Sequence, residues 1–128
     1  MNFPATVMIV DDEAHVRTHV SLLLKQIGVA KIVAVPCGEE AVAIYPNVDP
    51  DLVLLDVFMP GMDGLETLRQ LKQIDPTCVV VMLTTNVVRH RVEKALDLGA
   101  TYYISKDLSS QRILEELTET IEDTFNLE

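Results

Sequence analysis

Five short apolar runs alternate along the chain with longer stretches in which apolar residues recur every three or four positions. A run of four to eight apolar residues is typical of a buried strand, whereas a spacing of about 3.6 residues is typical of a helix with one buried face. The apolar runs therefore predict strands at residues 6–10, 31–35, 51–56, 78–84 and 101–105.

A helix is predicted after each strand from the apolar spacing together with start and stop signals such as Ser, Asp, Gly and Pro. The first predicted helix contains Val16 to Ile27 and stops at Gly28, and the second spans residues 39–45 and is ended by Pro46. The third runs from Asp63 to the break at Asp75, and the fourth runs from about Val88 to Leu98 with Gly99 beyond it. The fifth opens at Ser109-Ser110 and carries Ile113 to Phe125.

Alternating strands and helices predict right-handed βαβ units and a parallel sheet that is covered on both faces. With 128 residues the chain is long enough for one domain with a real core, and we expect a single doubly wound α/β domain over residues 1–128. In such folds the ligand crevice lies at the carboxyl ends of the strands.

Polar residues stand at or just after the predicted carboxyl ends of four strands. Asp11 and Asp12 follow the first, Asp56 ends the third, Thr84 ends the fourth, and Lys106 follows the fifth. Two like charges about 4 Å apart repel by roughly 1 kcal/mol in water and about 4 kcal/mol at an effective dielectric of 20. Converging carboxylates therefore require a cation, which predicts a site at this edge of the sheet.

Composition restricts the function classes. A hydrophobic content of 48% argues against disorder, and a net charge of -10 argues against direct binding to nucleic acid or to an anionic membrane. The local exception is the basic group Arg89-His90-Arg91 with Lys94. A solvated helix turn is at least as good an interpretation of this group as a contact for an acidic partner. Because no apolar stretch reaches the length of a membrane span and residues 1–6 lack the pattern of a signal peptide, a cytoplasmic location is expected.

Two other groups of metal-binding residue types are assigned structural roles. His15 and His19 have the i, i+4 spacing of a metal pair, but no third ligand is placed near them, so both are expected to be solvated. Cys37 and Cys78 lack metal-ligand spacing and are expected to be buried thiols.

Several motifs occur in a fixed order along the chain: DDE at residues 11–13, DVFMPGMDG at 56–64, Thr84, GA at 99–100 and YISK at 103–106. Together, at these strand ends, they resemble the receiver domain of the response regulators of two-component signalling over essentially the whole chain. The resemblance implies a flavodoxin-like (βα)5 fold with the strand order 2-1-3-4-5.

The resemblance also implies roles for the acidic residues. Asp56 is expected to accept a phosphoryl group from a phosphohistidine on a sensor histidine kinase or a histidine phosphotransfer protein. Asp12 and Asp56 are expected to hold one Mg²⁺ with the backbone carbonyl of Phe58, and Asp11 is expected to contribute mainly through water. These ligands suit Mg²⁺, which prefers one or two carboxylates, several waters and phosphate oxygens.

By the same resemblance, Lys106 pairs with the incoming phosphate and Thr84 donates its hydroxyl to a phosphoryl oxygen. Tyr103 is expected to turn inward as Thr84 moves, which remodels a protein-binding surface formed by the fourth helix, the fifth strand and the fifth helix. The domain is not expected to be a conventional enzyme, because its turnover is limited to its own phosphorylation and dephosphorylation. A monomer or a phosphorylation-dependent dimer is expected.

The chain departs from the family pattern near the phosphoacceptor. Phe58 and Asn86 occupy the variable positions that tune access of water and phosphodonor, and the bulky Phe58 predicts slow hydrolysis of the acyl phosphate. Thr85 replaces a smaller residue and is expected to crowd the phosphoryl pocket. Asp107 stands where proline is usual, which puts the expected cis peptide after Lys106 in doubt.

The main hypothesis is a receiver that works as a stand-alone switch. The first alternative is the N-terminal receiver of a longer DNA-binding transcription regulator. A flavin or nucleotide binder of this topology needs a phosphate loop after the first strand, where Asp11-Asp12-Glu13 repels phosphate. A phosphatase with Asp56 as nucleophile needs a second acid where Phe58 stands, and a receiver that no longer takes phosphate is disfavoured because the site residues are all present.

Overall fold

The fold alternates strand and helix five times in a computed structural model that describes residues 3–85 and 89–125. The strands are β1 (Phe3–Val10), β2 (Val29–Val35), β3 (Leu52–Leu55), β4 (Val80–Thr84) and β5 (Tyr102–Ser105). The helices are α1 (Ala14–Ile27), α2 (Gly38–Val48), α3 (Gly64–Ile74), α4 (Arg89–Asp97) and α5 (Ser110–Phe125).

The strands form one parallel sheet in the order β2-β1-β3-β4-β5, which confirms the strand order implied by the motifs. Val10, the last residue of β1, pairs with Leu55, the last residue of β3, and with Val35 on the other side. The strand ends are therefore level, and the residues that follow β1 and β3 emerge at the same edge of the sheet.

Both faces of the sheet are buried, which explains why the strands are apolar without alternation. Helices α1 and α5 cover one face, where Val7 and Ile9 pack with Leu24 and Leu117. Helices α2, α3 and α4 cover the other, where the intervening residues of the same strands pack with Ala41, Leu68, Leu71 and Ala95. Among the described residues, no helix is both long and apolar enough to cross a membrane.

Most predicted helix ends are confirmed by their capping geometry. Asp63 accepts a hydrogen bond from the backbone N–H of Glu66 at 2.9 Å, and the hydroxyl oxygen of Ser109 accepts one from the N–H of Arg112 at 3.2 Å. Gly28 follows α1 with φ of 107°, a left-handed conformation that a side chain disfavours. The predicted start of the fourth helix at Val88 lies outside the described residues.

The predicted end of the second helix is wrong. Helix α2 continues through Pro46 to Val48 and ends where the N–H of Asp49 donates to the carbonyl of Tyr45 at 2.8 Å. Proline removes one backbone donor and crowds the carbonyl one turn before it, and near the end of the helix this disruption is confined to the last turn. Because Tyr45 is only 2% exposed, its packing favours the helical conformation across the proline.

The predicted strand bounds are also shifted at several ends. Strand β1 begins at Phe3, three residues earlier than predicted, because the N–H of Phe3 donates to the carbonyl of Gly28 at 2.8 Å and its ring is buried. Strand β2 begins two residues earlier than predicted and β4 two residues later. These ends depend on pairing with a neighbour, which apolar content does not reveal.

Gly64 is the point at which α3 approaches the end of β3. A Cβ atom added there would lie 2.0 Å from the carbonyl oxygen of Asp56, and the N–H of Gly64 donates to the carbonyl of Val57 at 2.8 Å. The absence of a side chain at residue 64 therefore lets the helix start directly against the backbone of Asp56.

We expect Gly64→Ala to lower the free energy of unfolding by about 1–3 kcal/mol, because the added methyl group forces the backbone apart. Urea unfolding followed by circular dichroism measures the change. Gln73→Ala, at an exposed position of the same helix, is the control and should stay within about 0.5 kcal/mol of the wild type. Equal stability of the two variants would contradict the close approach at Gly64.

Candidate functional site

Three carboxylates converge at the carboxyl edge of the sheet, as predicted. The N–H of Asp11 donates to the carbonyl of Val35 at 3.2 Å, and the N–H of Asp56 donates to the carbonyl of Val10 at 3.0 Å. These bonds continue the strand pairing by one residue and fix both aspartates at the edge. Each of Asp11, Asp12 and Asp56 has a carboxylate oxygen within 4.8 Å of the others.

The carboxylate of Asp56 is buried, and both of its oxygens have partners. One oxygen accepts a hydrogen bond from the Thr84 hydroxyl at 2.8 Å and a longer one from the N–H of Phe58 at 3.4 Å. The other lies 3.2 Å from the Nζ atom of Lys106. Thr84 is itself fully buried, so the hydroxyl that the sequence predicts to be at this site points directly at Asp56.

Lys106 is the cation of the cluster, with a side chain only 8% exposed. Its Nζ atom donates to Asp11 at 2.6 Å and also lies 3.9 Å from a carboxylate oxygen of Glu13. Burial by itself lowers the pKa of Lys106, but the hydrogen bond to Asp11 and the charges of Asp11 and Asp56 outweigh burial and raise that pKa. Lys106 is therefore charged at neutral pH.

Asp11 is more buried than its neighbour Asp12, which is exposed. Desolvation raises the pKa of Asp11 and outweighs the hydrogen bonds from Lys106 and from the N–H of Glu13, which both lower it. Burial therefore works against the negative charge of Asp11 even beside its cation.

One lysine among three aspartates leaves an excess of negative charge, and exposed Asp12 opens the cluster to solvent. The available donors are carboxylate oxygens, with room for water on the Asp12 side, which is the ligand set that Mg²⁺ prefers. Within residues 3–85 and 89–125 this is the one group of three or more such side chains close enough to hold a metal. The residues therefore fit Mg²⁺.

Tyr103 lies on β5, and its hydroxyl is buried without a hydrogen-bond partner among the described residues. Burial raises its pKa, the charge of Arg91 lowers it, and the charge of Asp56 raises it. The Tyr103 hydroxyl is thus within the electrostatic reach of the acidic site. Tyr102, the preceding residue of β5, is 46% exposed.

Three contacts near the site were not predicted from the sequence. The guanidinium of Arg17 donates to the carbonyl of Asp11 at 2.7 Å, and a Glu39 carboxylate oxygen accepts from the N–H of Met62 at 3.3 Å. Arg91 lies over the ring of Phe58, 4.9 Å from its centroid. Only Arg17 had a signal in the sequence, because it lies one helical turn after Glu13 in a helix that starts beside Asp11.

Of the remaining sequence predictions, some agree with the structure and one does not. His15 and His19 are exposed as expected, with His15 3.7 Å from Glu13 and His19 3.2 Å from the Ser110 hydroxyl. Cys78 is buried as predicted, but Cys37 is only half-buried because it precedes α2 at the rim of the domain. No cis peptide is recorded in the described residues, the bond after Lys106 included, and Asn86 lies outside them.

Comparisons with known proteins agree with this geometry. A family model of the response regulator receiver domain matches residues 7–118. The chain is 33% identical over 115 residues to the chemotaxis protein CheY of Bacillus subtilis, an alignment that covers 90% of this chain and 96% of that protein. This chain belongs to the response regulator receiver domain family of two-component systems.

Other relatives are longer than this chain. It is 35% identical over 115 residues to the nitrate/nitrite response regulator NarL of Escherichia coli K12, which covers 89% of this chain and only 53% of that protein. The solved structure of the Vibrio cholerae chemotaxis protein CheY4 superposes with a TM-score of 0.83 at 27% identity, covering 91% of this chain and 98% of that one. The family therefore includes proteins in which the receiver domain makes up nearly the whole chain and proteins in which it makes up about half.

A second solved structure contains a metal. The complex of CheX and CheY with BeF3 and Mg²⁺ from Borrelia burgdorferi has a TM-score of 0.85 and 30% identity, and the alignment covers 92% of this chain and 90% of that one. Receiver domains are signalling domains that bind Mg²⁺ in an acidic pocket and interact with histidine kinases, phosphotransfer proteins and downstream targets.

The excess of negative charge predicts that Asp12→Asn raises the free energy of unfolding without Mg²⁺, by on the order of 0.5 kcal/mol in low salt. Urea unfolding in buffers with chelator measures the change, and added NaCl should reduce it by screening the repulsion. Glu122→Gln, which removes one exposed charge on α5, is the control and should change stability less. An unchanged or lower stability of Asp12→Asn would contradict repulsion in the cluster.

The two inward tyrosines predict opposite responses to removal of the hydroxyl. The Tyr45 hydroxyl donates to Asp75 at 3.0 Å, so we expect Tyr45→Phe to lower the free energy of unfolding by about 1 kcal/mol. Because the Tyr103 hydroxyl is buried and unpaired among the described residues, we expect Tyr103→Phe to leave stability unchanged or to raise it by up to about 1 kcal/mol. Thermal and urea unfolding of both variants tests the contrast, and an equal loss in both would refute it.

Proposed function

We propose that this chain is a phosphoacceptor receiver in which Asp56 takes a phosphoryl group from a phosphohistidine on a sensor histidine kinase or a histidine phosphotransfer protein. The observation that supports the proposal most strongly is the convergence of Lys106 and Thr84 on the two oxygens of buried Asp56. Asp11 and Asp12 lie beside that carboxylate, where a metal-bound phosphodonor could approach from solvent. The reaction is proposed to require Mg²⁺.

In the transfer step, an oxygen of Asp56 forms a bond to phosphorus as the bond between phosphorus and the donor's imidazole nitrogen breaks. Asp12, Asp56 and the backbone carbonyl of Phe58 would hold Mg²⁺, with Asp11 acting mainly through water. Bound Mg²⁺ would neutralise part of the negative charge on the phosphoryl oxygens. Lys106 pairs with a second phosphoryl oxygen, and Thr84 donates its hydroxyl to a third.

Transfer changes the partners that these side chains hold in the free domain. A phosphoryl group on Asp56 draws the Thr84 hydroxyl away from the carboxylate oxygen, 2.8 Å away, that it now contacts. Tyr103 then adjusts beside it, because its buried hydroxyl has no hydrogen bond to lose among the described residues. The surface of α4, β5 and α5 changes in consequence and binds a downstream protein.

At the level of the whole protein, we propose a stand-alone cytoplasmic switch that comprises one receiver domain over residues 1–128. Its similarity to CheY along 96% of that protein supports this form. The second candidate is the N-terminal receiver of a DNA-binding regulator, supported by the similarity to 53% of NarL. In both forms the receiver itself does not touch nucleic acid, and it is a monomer or a phosphorylation-dependent dimer.

The decisive test is intact mass spectrometry after incubation with acetyl phosphate and Mg²⁺. We expect an adduct of one phosphoryl group on the wild type and none on Asp56→Asn, because the amide cannot replace the carboxylate nucleophile. Asp97→Asn, an exposed position at the end of α4, is the control and should retain the adduct. The adduct should also disappear when Mg²⁺ is replaced by chelator.

Two results would contradict the proposal. An adduct that persists in Asp56→Asn would assign phosphorylation to another residue. A wild type that binds Mg²⁺ but takes no phosphate, from acetyl phosphate or from a phosphorylated histidine phosphotransfer protein, would instead indicate a phosphorylation-independent binding module.

A further inference from the structure

The contact between Arg91 and Phe58 joins helix α4 to the loop that carries the phosphoacceptor. The Cζ atom of Arg91 lies 4.9 Å from the centroid of the Phe58 ring, which is the geometry of a cation–π contact. Phe58 stands two residues after Asp56, and its N–H donates to the Asp56 carboxylate at 3.4 Å. The backbone of Phe58 therefore lies beside the acidic site, and its ring is contacted by Arg91 from α4.

Arg91 differs from the other arginines in its partners. Arg69, Arg89 and Arg112 each pair with a glutamate on their own helix, and Arg17 donates to a backbone carbonyl. Among the described residues, Arg91 makes no hydrogen bond and no ion pair with a carboxylate, and the Phe58 ring is the partner that the structure records for it. The half-buried side chain of Arg91 is therefore positioned against the Phe58 ring.

The ring of Phe58 needs such a partner to be held in place. It is 40% exposed, so packing against the protein covers only part of it and leaves other rotamers accessible. A cation–π contact at a partly exposed site shifts an equilibrium between two arrangements by about two- to fivefold. Arg91 therefore biases the ring toward the recorded position.

We propose that Arg91 is a positioning residue that holds the Phe58 ring beside the mouth of the acidic site and so lengthens the life of the phosphoryl group on Asp56. The inference rests on the proposed function. In hydrolysis, a water oxygen bonds to phosphorus as the bond from phosphorus to the Asp56 oxygen breaks. The products are inorganic phosphate and the free carboxylate, with one proton released to solvent. An apolar ring held near the site restricts the approach of that water.

The test follows loss of the phosphoryl group by intact mass after the protein is phosphorylated with acetyl phosphate and Mg²⁺ and the donor is removed. We expect Arg91→Ala to hydrolyse about two- to fivefold faster than the wild type, because the ring leaves the recorded position more often. In a Phe58→Leu background the same substitution should change the rate by less than about 1.5-fold, since there is no ring to hold. Arg91→Lys should recover part of the slow rate.

Arg69→Ala is the matched control, because it removes one positive charge from the helix that follows the same loop without touching Phe58. Its rate should equal that of the wild type. Thermal unfolding verifies that each variant is folded, and Arg91→Gln, which keeps much of the side-chain length, replaces Arg91→Ala if that variant is unstable.

The outcomes separate this inference from the proposed function. A phosphorylated wild type whose decay is unchanged by Arg91→Ala leaves the proposed function standing and overturns the inference. Equal acceleration by Arg91→Ala with and without the Phe58 ring also overturns it, since the effect would then come from charge alone. If the wild type takes no phosphate, the proposed function fails and the inference fails with it.

Discussion

The ammonium group of Lys106 balances the acidic edge of the sheet, and the arrangement of the site depends on it. Its Nζ atom lies 2.6 Å from Asp11 and 3.2 Å from Asp56, two carboxylates that are nearly inaccessible to solvent. Without a cation between them, their burial would cost more than their remaining hydrogen bonds return. Its single positive charge balances only one of these two carboxylates, and Asp12 adds a third negative charge. A second cation is therefore favoured on the solvent side.

The sheet register brings these charges together. The last residues of β1 and β3 pair with each other, and the N–H groups of Asp11 and Asp56 extend the pairing by one step. Lys106 comes from the far end of the chain, with its own N–H donating to the carbonyl of Thr84 at 2.8 Å. Backbone hydrogen bonds thus fix the main-chain positions from which Asp11, Asp56 and Lys106 extend, and the rigid sheet preorganises the site.

The same edge connects the site to the rest of the surface. Thr84 contacts Asp56 from the end of β4, and Tyr103 lies on the adjacent strand with its hydroxyl buried. Arg91 reaches from α4 to the ring of Phe58. A change of charge at Asp56 can therefore alter the hydroxyl of Thr84 directly and α4 through neighbouring side chains. This is the kind of local electrostatic change that biases a two-state element.

Several features of this protein could be predicted from the sequence because they depend on local chemistry. Apolar runs of strand length predicted a parallel sheet covered on both faces, and polar residues after those runs predicted that Asp11, Asp12, Asp56, Thr84 and Lys106 converge. The strand order came from family motifs, and the structure confirms it. Helix caps such as Asp63 were also predictable, because a short polar side chain there bonds the first free N–H groups.

Tertiary structure decided what depends on distant neighbours. Helix α2 continues through Pro46 because Tyr45 is packed in the core, which local propensity does not include. Burial of Asp11 relative to Asp12 depends on which side chain points inward at the sheet edge. The contact of Arg91 with Phe58 joins residues 33 positions apart on different elements. Such contacts are set by the packing of elements against one another, and no spacing along the chain encodes them.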